Sequence, residues 1–204
     1  MLEKGLFKCA ATALVTPFHE DFTVNYNKLE ELVDWQINQG IDALVISGTT
    51  GEASTLPDPE HIEVVRVAVK TASGRVPIIA GAGSNDTEHA KALAKSLTSA
   101  GADALLCVSP YYNKTNQDGL IKHFEASAYA SDLPIILYNV PSRTSMNINP
   151  ETYYALAKVE NILAIKECNI QQVPLTRAMC GESYVHYSGE DGMVLPVLSL
   201  GGQG

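Results

Sequence analysis

Lys166 closes the apolar run Ile162-Leu163-Ala164-Ile165 and is the only lysine in it. Burial there disfavours the ammonium and exposes a neutral amine, the form that attacks a carbonyl carbon and builds a Schiff base. Two ordinary readings compete: a side chain that snorkels to solvent, or an ion pair with the adjacent Glu167. Other groups of residues suit the same chemistry. Gly48-Thr49-Thr50-Gly51-Glu52 brings two hydroxyls and free backbone N–H groups that fit a carboxylate or a proton relay, or else a glycine turn with capping hydroxyls. Ser109-Pro110-Tyr111-Tyr112-Asn113 brings adjacent phenols, which either move protons or plug a packing gap. In Tyr138-Asn139-Val140-Pro141-Ser142-Arg143-Thr144 a phenol ends an apolar run and Arg143 offers a planar fork for a carboxylate, or faces solvent.

Short apolar runs alternate with longer amphipathic stretches, and these must position the chemistry. Strands are expected at Cys9 to Val15, Ala43 to Ser47, Pro77 to Gly81, Ala104 to Val108, Pro134 to Asn139, Ile162 to Lys166 and Tyr184 to Ser188. Helices are expected at Asn27 to Asn38, Pro59 to Thr71, Asp86 to Ser99, Gln117 to Ala130, Glu151 to Lys158, Gln171 to Cys180 and Gly192 to Leu200. Gly40 and Gly101 stand where helices should end, and each leads through an Asp-Ala-Leu step into a strand, a weak repeat of one βα module. Strict β/α alternation fits an open doubly wound sheet or a closed eight-stranded barrel. Polar signatures follow at least five strands rather than one switch point, which favours the α/β TIM (β/α)8 barrel with 1–204 as a single domain. Thr49, Thr50, Tyr112, Tyr138, Arg143, Lys166 and Gly189 then share one mouth. Seven strands are counted, and the sequence reaches Gly201-Gly202-Gln203-Gly204 before an eighth.

Composition narrows the function class. With 46% hydrophobic and 18% charged residues the chain can bury a sizeable core. A net charge of −9 without a basic cluster excludes a nucleic-acid surface. No apolar run approaches the roughly 20 residues of a membrane span, and the Cys9 to Val15 run after Glu3-Lys4 reads as a strand rather than a secretion signal. Cys9, Cys107, Cys168 and Cys180 form no C-x-x-C pair, which points to free thiols in a reducing cytoplasm. His19, His61, His89, His123 and His186 form no metal-binding pattern, so no metal is expected. Gly81-Ala82-Gly83-Ser84-Asn85 completes no phosphate-loop pattern, so no cofactor is expected.

The Gly48 to Glu52, Pro110 to Asn113, Tyr138 to Thr144 and Ile165 to Glu167 motifs, in this order, resemble the 4-hydroxy-tetrahydrodipicolinate synthase (dihydrodipicolinate synthase) family over essentially all 204 residues. The resemblance implies a cytoplasmic lyase of lysine biosynthesis through diaminopimelate. Lys166 would condense with pyruvate, and the enamine would attack L-aspartate 4-semialdehyde. Tyr138, Tyr112 and Thr49 would form the proton relay, with Tyr112 reaching into a neighbouring subunit of a homotetramer. Thr50 would hold the pyruvate carboxylate, Arg143 the semialdehyde carboxylate, and Gly189 a place in the substrate pocket. His61, Asn85 and Tyr111 match candidate allosteric positions for feedback lysine, whereas Asp58 and His89 depart from one common pattern, as does Cys168-Asn169-Ile170 after the lysine. The family continues into an eighth strand and a C-terminal helical domain, so the resemblance implies a truncated chain with two bare sheet edges. N-acetylneuraminate lyase and 2-keto-3-deoxy sugar acid aldolases resemble the lysine region but generally lack the arginine pattern. A noncatalytic carboxylate-binding barrel and an inactive fragment are the remaining alternatives.

Overall fold

The computed structural model describes residues 7–204; the Glu3-Lys4 flank and the first residues of the expected domain lie outside them. Seven strands run β1 (Ala11–Ala13), β2 (Ala43–Ile46), β3 (Ile78–Gly81), β4 (Ala104–Val108), β5 (Ile135–Asn139), β6 (Ile162–Glu167) and β7 (Val185–Ser188). The helices are α1 (Tyr26–Asn38), α2 (Asp58–Ala72), α3 (Thr87–Ser99), α4 (Gln117–Ala128), α5 (Pro141–Thr144), α6 (Pro150–Leu156), α7 (Val173–Cys180) and α8 (Val194–Ser199). All strand pairs are parallel and the order is sequential from β1 to β7. Sequential order leaves no switch point, which excludes the doubly wound sheet and matches a (β/α)8 barrel without an eighth strand among the described residues.

Local chemistry explains the element ends. Asn25, Asp86 and Asn116 accept backbone N–H bonds as N-caps of α1, α3 and α4, so Asp86, expected inside its helix, stands just before it. Gly40 and Gly101 follow α1 and α3 with φ of 88° and 95°, left-handed values that a side chain would strain. The first strand is shorter than expected, Ala11–Ala13, and at its start Cys9 turns to φ 76°, outside the extended region. The short helix α5 was missed: Pro141 starts it with a preset φ, and Ser145 ends it at φ 54°.

Each strand splits its residues between two cores. Leu44, Ile46, Ile78, Leu105, Ile135, Leu137 and Ile165 pack outward under the helices. Ala43, Val45, Ile79, Ala104, Leu106, Ile136, Tyr138, Ala164 and Tyr187 pack inward. Burial on both faces is why these strands read as unbroken apolar runs. The small inward alanines leave room for a row of larger side chains, since Tyr138, Lys166 and Tyr187 are Cα partners across β5, β6 and β7.

The two sheet edges are bare only in part. Gln203 N–H donates to the His186 carbonyl (2.9 Å) and Ser188 N–H to the Gly204 carbonyl (2.8 Å), while Cys9 N–H donates to the Gln203 carbonyl (2.8 Å). Residues 203–204 thus bridge β7 and the approach to β1 with backbone hydrogen bonds, which satisfies groups that would otherwise need water.

Candidate active site

Adjacent residues on a strand point to opposite faces, so Lys166 enters the barrel while Glu167 turns into the helix layer. A Lys166–Glu167 ion pair is therefore ruled out. Lys166 Nζ lies 4.7 Å from the centroid of the Tyr138 ring. Burial lowers the lysine's proton affinity, while Cys168, Asp191 and Glu190 work against that shift. The net result is an amine more readily neutral than an exposed lysine, as nucleophilic attack requires.

Tyr138 is 7% exposed, and burial pushes its phenol up to about 12, aided by Cys168 and Glu190 and opposed by the Arg143 guanidinium. It keeps its proton near neutrality. Tyr187, also pushed up to about 12 by burial, donates to the Phe7 carbonyl (2.8 Å) and stacks on the Phe7 ring with centroids 4.2 Å apart. That contact anchors the ring on the far side of Lys166.

A cavity of about 560 Å³ is lined by Lys166, Tyr138, Thr49, Thr50, Arg143 and Gly189, together with Tyr187, Glu190 and Asp191. Residues from the ends of four strands and from α5 therefore meet where the sequence placed them. Gly189 approaches Cys168 closely: a Cβ there would run into Cys168 Sγ unless the thiol turned away. Tyr112 does not join them: it is 91% exposed, has φ 71° and lines neither this cavity nor the second one. Convergence of all seven mouth residues within one chain is thus corrected to six.

Three participants escaped sequence reading. Cys168 stands two residues after Lys166, on the same strand face, and the two-residue period alone could have found it. Burial, then Glu190, raises its thiol to about 11, so it stays protonated. Glu190 and Asp191 follow Gly189 in the turn after β7, where nothing in their spacing marks them.

A second cavity of about 340 Å³ shares Thr49, Tyr138 and Arg143 with the first. His61 and Tyr111 line it, as do Asp58 and His89, the positions that depart from the family pattern. His89 Nε2 pairs with Asp58 Oδ1 at 2.9 Å, and His89 Nδ1 meets Ser84 Oγ at 3.0 Å. His61 Nε2 donates to the Gly81 carbonyl (2.8 Å), and burial lowers this imidazole's proton affinity. Asn85 is not among the lining residues; its carbonyl accepts from Asn113 Nδ2 (3.1 Å). No cluster of metal-ligating side chains occurs among the described residues, and no helix there is long and apolar enough to cross a membrane.

The sequence profile of the dihydrodipicolinate synthetase family matches residues 6–204. The chain belongs to this family. It is 53% identical over 203 residues to the 4-hydroxy-tetrahydrodipicolinate synthase of Acetivibrio thermocellus, covering all of this chain and 69% of that relative. Among solved structures it resembles the dihydrodipicolinate synthase of Cyanidioschyzon merolae with lysine bound, at TM-score 0.94 and 43% identity over 98% of this chain and 69% of the other. It also resembles the Acinetobacter baumannii enzyme complexed with pyruvate, at TM-score 0.93 and 41% identity over 97% and 68%. The family supports the synthase reading over the sugar-acid aldolase alternative.

Proposed function

We propose that the chain is a lyase in which Lys166 forms a Schiff base with pyruvate and the resulting enamine condenses with L-aspartate 4-semialdehyde, giving 4-hydroxy-tetrahydrodipicolinate. The observation that carries this reading is the buried Lys166 amine 4.7 Å from the Tyr138 ring in a cavity that also holds Thr49, Thr50 and Arg143. The neutral amine attacks the pyruvate C2 carbonyl and water leaves; loss of a methyl proton gives the enamine, whose carbon bonds to the aldehyde carbon, and the amino group of the former semialdehyde then attacks the imine carbon, closing the ring and expelling the Lys166 amine. Tyr138, protonated at neutral pH, is the donor to oxygen, with Thr49 as its relay partner. Thr50 holds the pyruvate carboxylate, Arg143 takes the semialdehyde carboxylate, and Gly189 leaves the substrate space beside Cys168.

Tyr112, exposed and strained at φ 71°, fits a role in the site of a neighbouring subunit within a homotetramer. The second cavity is proposed as the feedback site for lysine, with support from the lysine-bound Cyanidioschyzon relative. Its shared wall of Thr49, Tyr138 and Arg143 gives a ligand there a direct physical path to the catalytic groups.

The test is borohydride reduction of the purified chain with pyruvate, followed by mass spectrometry of the peptide that contains Lys166. A pyruvate-dependent adduct on Lys166 in the parent, with neither adduct formation nor pyruvate-dependent semialdehyde consumption in Lys166→Met, is the expected contrast. An adduct on another lysine, or none at all, overturns the reading.

A further inference from the structure

A buried carboxylate that lines neither cavity lies directly behind the site. Tyr138 and Asn139 of β5 are Cα partners of Lys166 and Glu167 of β6. Strand alternation sends the first pair into the barrel and the second into the helix layer. Glu167 is 2% exposed. Its Oε1 accepts from Asn139 Nδ2 (2.7 Å) and from Asn169 N–H (2.7 Å), and its Oε2 from Gln172 Nε2 (2.8 Å) and the Tyr153 hydroxyl (3.1 Å). Four donors fill the acceptor sites of an ionised carboxylate. Burial raises its proton affinity, and the same four hydrogen bonds oppose that shift.

The ties extend to the segment that carries Arg143. Asn139 Oδ1 accepts from Ile148 N–H (3.0 Å), and Gln172 Nε2 also donates to the Ile148 carbonyl (2.9 Å). Asn139 and Asn169 both donate to Asn147 Oδ1, at 2.9 and 3.1 Å. Both ends of the 139–148 segment are therefore bound, directly or through one residue, to Glu167. An apolar residue in its place would take away one hydrogen bond from each of the Asn139 and Gln172 amides and leave their ties to Asn147 and Ile148 alone.

We propose that Glu167 is a positioning residue for the Schiff-base chemistry: through Asn139 and Ile148 it fixes β5 against β6, holding Lys166 against Tyr138 and seating the turn that carries Arg143. The inference rests on the proposed imine at Lys166. The inward pair performs the reaction and the outward pair sets its geometry.

The experiment measures the rate of borohydride-trapped adduct formation against pyruvate concentration, separating the saturating rate from half-saturation. Glu167→Gln keeps the shape but turns an NH2 donor toward donors; its saturating rate should fall about tenfold or more while half-saturation shifts far less, because misplacement harms reaction more than binding. Asn147→Ala, at a half-buried position, loosens the same ties without uncovering a charge and should lower the same rate by about threefold or more. Leu156→Ala, in α6 and fully buried outside the network, is the stability control: it should lower the melting temperature and leave the rate per folded molecule unchanged. An unchanged saturating rate in folded Glu167→Gln overturns the inference; should that variant not fold, an unchanged rate in Asn147→Ala does so. An absent adduct in the parent chain overturns the imine reading and this inference together, whereas an adduct in the parent with unaltered variants overturns this inference alone.

Discussion

Tyr138→Phe isolates the proton-transfer role of the site from its packing. The substitution removes one hydroxyl and keeps the ring that faces Lys166 Nζ at 4.7 Å inside the barrel. Because the phenol stands at about 12, only about one molecule in ten thousand has it ionised at pH 8. In the proposed mechanism it is the proton donor, and its loss removes general-acid assistance worth about 10²- to 10⁴-fold, or roughly 3 to 5.5 kcal/mol of barrier. Stability should change little, since the apolar surface buried by the ring is retained. The assay combines steady-state turnover of pyruvate and L-aspartate 4-semialdehyde with the borohydride trap and a thermal melt. A turnover within about threefold of the parent, at equal melting temperature, would refute the donor role. A large loss accompanied by a matching fall in melting temperature would refute it too, by making the defect one of folding.

Three further outcomes follow from the same geometry. Arg143→Ala should leave pyruvate trapping intact and raise half-saturation for the semialdehyde by about tenfold or more, the scale of a lost charge-assisted hydrogen bond, as steady-state kinetics will read. Lys166→Met should abolish the adduct and raise the melting temperature at neutral pH, because a folded-state proton affinity below the usual 10.5 means that the buried ammonium opposes folding until pH rises through that lowered value. His186 is 1% exposed, neither of its ring nitrogens has a hydrogen-bond partner among the described residues, and burial lowers it from 6.5 to about 4. Its lowered folded value means the unfolded chain binds the extra proton, so stability should be lost as pH falls from 6.5 toward 4, by up to about 3 kcal/mol; His186→Phe should flatten that slope in denaturant titrations across the window.

The fold was legible because parallel strands buried on both faces have to be apolar throughout, and the caps and glycines between them have local causes. Asn25, Gly40 and Gly101 act on their own helix ends whatever surrounds them. α5 escaped because one turn held by Pro141 has no periodicity to detect. In the site, Lys166 stood out as a lone charge in such a run, and Arg143 through the fixed motif around it. Glu190 and Asp191 did not stand out, since their proximity to the amine depends on how β6 and the turn after β7 close over one another.

By itself, the sequence determined the order of strands and helices, the amine and its hydroxyl and guanidinium partners, and through its motifs the family. Tertiary structure decided what each side chain faces. It turned Lys166 inward and Glu167 outward, left Tyr112 exposed, and gathered Asn139, Asn147, Asn169, Gln172 and Tyr153 around a buried carboxylate. The physical reason is that local rules fix backbone conformation within a few residues. The faces of a strand, and the partners of a polar side chain distant in sequence, are set only when the sheet curls and the helices pack on it.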